Sequence, residues 1–103
     1  MTPKELFGLE LTVVDKIRSV FSKYQMVEKA ILYGSRAKGT QKNGSDIDIV
    51  LIGTKLTTTD LLRIENELDD LMLPYEIDVS MKHAIENQDL LEHIDRVGQV
   101  FYP

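Results

Sequence analysis

The 103-residue chain contains no cysteine. That excludes a disulfide framework and any thiolate metal site, and it is compatible with a reducing, cytoplasmic setting. Basic residues are also scarce, with 12 Lys+Arg against 17 Asp+Glu and a net charge of −5. A chain so poor in positive charge lacks the footprint needed to grip a long nucleic acid by itself. Long apolar runs are missing: the longest is Ile49–Ile52, far too short to span a bilayer. The opening MTPKELFGLE has no basic segment followed by an apolar one, so it does not read as a signal peptide. No internal repeat, low-complexity tract or linker interrupts the sequence. The length predicts one domain over 1–103, large enough for a core without staples.

What is present is a regular alternation of helical and extended patterns. Thr2, Pro3 and Glu5 suit a capped helix start. Leu6, Leu9, Val13, Ile17, Val20 and Tyr24 recur every three or four residues, which predicts one helix from Pro3 to Tyr24. Val27–Tyr33 predicts a strand ending at Gly34, and Ser35–Lys38 one helical turn. Gly39–Ser45 is a polar loop, and Ile47–Ile52 a second strand. Thr57–Met72 predicts a helix with Leu61, Ile64, Leu68 and Leu71 on one face, stopped by Pro74. Tyr75–Met81 alternates as a third strand. Asn87 caps a last helix, with Leu90, Leu91, Ile94 and Val97 inward and Gly98 as its stop, and Val100–Tyr102 suits an edge strand. Strands separated by helices predict an α+β (α/β mixed) domain with helices packed on a small mixed sheet.

Chemistry concentrates in Gly34–Val50. Side chains on a strand alternate faces, so Asp46 and Asp48 point one way while Ile47, Ile49 and Leu51 point the other. Two carboxylates at the mouth of a buried strand need a partner, since burying an unpaired charge is costly. Hard oxygen ligands at this spacing suit Mg²⁺ or Mn²⁺. Asp78 shares a strand face with Glu76 and Ser80. If its strand lies beside the second, Asp46, Asp48 and Asp78 could hold two metal ions, and Asp78 could accept a hydroxyl proton. Gly34 and Ser35 sit at a strand-to-helix turn where the backbone can approach a phosphate, and Arg36 and Lys38 add positive charge. Taken singly, each feature has a plainer reading. Gly34-Ser35 is then a turn, Asp46, Asp48 and Asp78 are solvated strand residues, and Arg36 and Lys38 are surface charges. His83 and His93 match no ligand pattern and read as surface residues, while Tyr33 and Phe101 read as core.

The combination is more specific than its parts. Gly34-Ser35, ten residues, Asp46-Ile47-Asp48, then Asp78 on a further strand resembles the signature of the minimal nucleotidyltransferases (MNT) of the DNA polymerase β-like superfamily. The stretch from Gly34 to Gly39 looks like that family's loop, and the likeness extends over essentially the whole chain. The resemblance implies the nucleotidyltransferase fold and transfer of a nucleoside monophosphate from a nucleoside triphosphate, ATP foremost, to a hydroxyl. It implies Asp46, Asp48 and Asp78 as metal ligands, with two Mg²⁺ or Mn²⁺ ions, and Gly34 and Ser35 as the triphosphate site assisted by Arg36 or Lys38. It further implies a HEPN-domain partner in a homo- or hetero-oligomer. The chain would be that partner's antitoxin, adenylylating one of its tyrosines as in type VII-like toxin–antitoxin pairs. Two alternatives stay open: an antitoxin or accessory subunit acting by contact alone, and a small-molecule nucleotidyltransferase whose acceptor pocket is shared with a partner.

Overall fold

A computed structural model describes residues 5–103. The chain opens with a two-stranded hairpin, β1 (Glu5–Leu6) and β2 (Leu9–Glu10), and then enters α1 (Leu11–Ser22). The predicted helix from Pro3 is therefore shortened to its second half. Phe7 and Gly8 both have positive φ, 59° and 73°. That pair makes the tight turn favoured between antiparallel strands and cannot belong to a right-handed helix. Leu6 and Leu9 pair across this hairpin. Their spacing mimicked helical periodicity, and Tyr24 lies just past the helix end. The expected cap at Thr2 and Pro3 lies outside the described residues.

The rest follows the predicted order with trimmed ends. β3 (Lys29–Tyr33) leads into the single turn α2 (Ser35–Lys38), then β4 (Ile47–Ile52), α3 (Thr58–Asp70), β5 (Ile77–Met81), α4 (Gln88–Val97) and β6 (Gln99–Tyr102). Thr57 and Asp60 form a reciprocal capping box on α3, each side chain bonding the other's backbone N–H. Asn87 caps α4 by accepting from the N–H groups of Asp89 and Leu90. None of the described helices is long and apolar enough to cross a membrane.

The main sheet has the order β5-β4-β3-β6, with β4 and β5 parallel and the other pairs antiparallel. Its two faces have different fates. On one, Ala30, Leu32, Ile47, Ile49, Leu51, Val79 and Met81 pack against α1 and α3 in a continuous core with Ile17, Phe21, Ile64 and Leu68. Ile47, Ile49 and Leu51 are wholly buried, each worth about 1.5–3 kcal/mol of apolar transfer. On the other face, α4 covers only part of the sheet. Ile94, with Leu90 and Val97 beside it, packs on Ile31, Tyr33 and Val50. The strand ends beyond that helix carry the polar residues of the next section.

Candidate active site

Register decides the site. In the β4–β5 pair Asp48 stands directly opposite Asp78, and in the β3–β4 pair Tyr33 stands opposite Asp48. Tyr33, Asp48 and Asp78 thus form one row across three strands, on the face that α4 covers incompletely. Adjacent strands lie about 4.8 Å apart, so the two carboxylates are neighbours. Asp46 sits one residue before β4. The lead-in is fixed beside β5 because the Ile47 N–H donates to the Glu76 carbonyl at 2.9 Å. The three predicted acids therefore converge on one strand end. Asp46 and Asp78 also line an open cleft of about 460 Å³ with Tyr75, Glu76 and Asp69.

The electrostatics match that crowding. The Asp48 carboxyl is pushed above its ordinary value, first by partial burial and then by Asp78 and Asp46, with His93 pulling the other way. The Tyr33 hydroxyl is also raised, chiefly by burial and further by Asp78 and Asp48, while a hydrogen bond with Ser80 opposes. Among the described residues, no three His, Asp or Glu side chains are gathered tightly enough to cage a metal by themselves. The set still suits Mg²⁺, which keeps several waters and draws further ligands from substrate phosphates.

Gly34 closes the row from above. Its φ of 75° and ψ of −156° lie in a region open essentially to glycine. A β-carbon there would collide with Oδ2 of Asp48. The bare backbone is what lets the Asp48 carboxylate lie against the Gly34-Ser35 turn. Ser35 opens α2 and is half-buried, and Lys38 at its end is exposed.

Two residues depart from their sequence readings. Arg36 is neither a surface charge nor free to meet a phosphate, being only 4% exposed. Its Nε and Nη2 donate to the Ser45 carbonyl at 3.1 and 2.8 Å, and its Nη1 donates to the carbonyls of Phe7 and Gly8. The guanidinium also lies over the Tyr75 ring. Because Ser45 precedes Asp46, this fork fixes the peptide from which Asp46 projects. The sequence could not show this, since the hairpin that supplies two of the carbonyls was hidden in an apparent helix. His93 is the second departure. It is half-buried, and its Nε2 accepts from the Gly34 N–H at 3.2 Å while its ring stands edge-on to Tyr33. One signal could have found it: His93 lies three residues after Leu90 and next to Ile94, on the sheet-facing side of α4. His83 is exposed, as expected, and Tyr33 and Phe101 are core.

Known proteins share this fold. Among solved structures, a toxin–antitoxin complex with AMP-PNP contains a chain 20% identical, with TM-score 0.71, covering 86% of this chain and 72% of that one. A chain of the MntA–HepT toxin–antitoxin is 15% identical, TM-score 0.67, with 90% and 72% covered. A chain of the tri-AMPylated Shewanella oneidensis HEPN toxin in complex with MNT antitoxin is 15% identical, TM-score 0.66, with 89% and 71% covered. At such identities these similarities establish a shared fold. No curated protein matches the chain. The sequence profile for polymerase beta, nucleotidyltransferase matches residues 15–103, a span that holds the Gly34-Ser35 turn and both acid-bearing strands. The chain belongs to the polymerase beta nucleotidyltransferase family.

Proposed function

We propose that this protein transfers a nucleoside monophosphate, AMP from ATP, to a tyrosine hydroxyl of a HEPN-domain partner and thereby acts as the antitoxin of a toxin–antitoxin pair. The observation that carries the reading is the register that sets Asp48 beside Asp78 against the Gly34-Ser35 turn, with Asp46 adjoining. The likeness of fold to chains from a complex with AMP-PNP and from one with an AMPylated HEPN toxin supports the choice of nucleotide and partner.

Ser35 and the turn that Gly34 opens seat the triphosphate, Gly34 by leaving its β-carbon space clear, and exposed Lys38 is the cation of the turn free to approach it. Asp46, Asp48 and Asp78 are the residues that would hold divalent cations, which supply Lewis-acid stabilisation of phosphate charge. The acceptor oxygen bonds to the α-phosphorus as the bond to the bridging oxygen breaks, and pyrophosphate leaves. Asp78, exposed at the cleft, takes the hydroxyl proton. The acidic cleft beside Asp78 leaves an open approach for an acceptor side chain.

A contact-only antitoxin is the second reading, favoured by the absence of a ready-made metal cage among the described residues. One experiment separates the two. The protein is incubated with α-³²P-labelled ATP, GTP, CTP or UTP and Mg²⁺ or Mn²⁺, with and without the protein encoded next to it, with Asp46→Ala and Asp78→Asn as controls. Label on the neighbour that both variants abolish supports transfer and names the base. A stable complex with no label, in which Asp78→Asn still neutralises the partner, refutes it.

A further inference from the structure

The turn from Gly34 to Lys38 is held at both ends by one distant segment. At its start, the Gly34 N–H donates to Nε2 of His93 on α4. At its end, Nε2 of Gln99, the first residue of β6, donates to the Ala37 carbonyl at 2.6 Å. Gly34's own carbonyl accepts from the Lys38 N–H at 3.2 Å. Both polar groups of Gly34 are therefore satisfied within the protein, and its amide is turned away from any ligand. Glycine enters the φ, ψ region of Gly34 without steric cost and keeps wide freedom around it, so an outside tie is needed to hold this peptide in one orientation. His93 meets that need. Its ring is set edge-on to Tyr33 at 6.2 Å between centroids, and Ile94 anchors the same stretch of α4 in the small cluster with Tyr33 and Val50.

We infer that His93 is a positioning residue. By accepting the Gly34 N–H it fixes the peptide that starts the turn, and with Gln99 it clamps the turn in the shape that receives the nucleotide's triphosphate. The inference rests on the reading of this turn as the triphosphate seat. It assigns His93 no contact with the substrate and no proton transfer. Its consequence is that the C-terminal helix and edge strand, 59 and 62 residues away in sequence from the turn they hold, set nucleotide affinity.

The acceptor function is separable from the packing of the ring. His93→Phe keeps an aromatic ring against Tyr33 and removes the acceptor, whereas His93→Gln keeps an acceptor on a flexible arm. Two readouts are needed. Hydrogen exchange at the Gly34 amide, followed by NMR on protein labelled with ¹⁵N-glycine, reports the clamp without reference to activity. Calorimetric titration with α,β-methylene-ATP and Mg²⁺, which blocks cleavage at the α-phosphorus, reports nucleotide affinity. Loss of one neutral hydrogen bond corresponds to roughly three- to tenfold. His93→Phe is expected to speed Gly34 exchange and to weaken nucleotide binding by that factor, while His93→Gln stays within about twofold of wild type on this scale. Gln99→Met, which cuts the other tie, is expected to weaken binding in the same direction and serves if His93→Phe does not fold. Unchanged exchange at Gly34 in His93→Phe overturns the inference. So does faster exchange with unchanged affinity, or equal losses in His93→Phe and His93→Gln. A wild-type protein that binds no nucleotide overturns the nucleotidyltransfer reading instead, and exchange at Gly34 then decides alone whether His93 holds the turn.

Discussion

Replacing Asp48 with asparagine is expected to make the ligand-free protein more stable while abolishing its activity. Asp48 is half-buried, stands beside Asp78 in the parallel register and lies close to Asp46. Two unit charges about 5 Å apart repel by roughly 0.8 kcal/mol in water and about 3 kcal/mol at the effective dielectric of a protein surface. Asp78 is exposed and solvent screens the pair, so the lower part of that range applies: about 1 kcal/mol. For a domain of this size that corresponds to a rise in Tm of roughly 4–8 °C. The pH dependence follows from the direction of the shift. A carboxyl whose folded-state value is raised disfavours its charged form. Native stability is therefore intact below the unfolded value and declines as pH rises through the raised one. The gap between variant and wild type should open as pH climbs past the ordinary carboxylate value and through the raised one, and close as pH falls below the ordinary value. Thermal unfolding followed by circular dichroism across that range, with Asp15→Asn on the exposed face of α1 as control, measures it. A Tm for Asp48→Asn at or below wild type near neutral pH would refute the reasoning, as would a gain that does not change with pH.

The remaining expectations use other parts of the site. Gly34→Ala should cost about 1–3 kcal/mol and abolish nucleotide transfer, because it combines a disfavoured φ with a collision against Asp48; denaturant unfolding and the labelling assay check both halves. Arg36→Ala should destabilise the fold by about 3 kcal/mol or more, by stranding the carbonyls of Ser45, Phe7 and Gly8 and opening a cavity. Arg36→Lys should recover only part of that loss, since an ammonium cannot reproduce the fork; chemical denaturation of both variants tests the order. Glu67 accepts from Lys23 and then Tyr24, which hold its carboxyl below the usual range. The stability it contributes is present above the unfolded carboxylate value and lost as pH falls through the lowered one, so Glu67→Gln should flatten the acid side of the Tm profile.

The helices and strands were legible wherever local chemistry and burial agree. Ile47–Ile52 is read correctly to the residue because its inward positions fill the core while its outward ones begin with a carboxylate. The capping residue Asn87 announces its helix, since a side-chain acceptor before an apolar repeat is a local signal. The hairpin at Glu5–Glu10 was not legible, because Leu6 and Leu9 fit a helical spacing as well as a strand pair. Only the left-handed pair Phe7-Gly8 breaks the tie.

The sequence by itself determined that Gly34-Ser35 ends a strand, that Asp46 and Asp48 share a face, and that an acid of the same kind recurs at Asp78. All of these follow from local pattern: a glycine closing an apolar run, and alternation along single strands. Tertiary structure alone decided that Asp78 lies opposite Asp48, since pairing and register depend on which strands the helices bring together. It also decided that Arg36 turns inward to Ser45 and that His93 reaches Gly34 across 59 residues. A charged or polar side chain shows its type in the sequence. Its partner is fixed only when the chain closes, because buried donors and acceptors must be matched by whatever the fold places beside them.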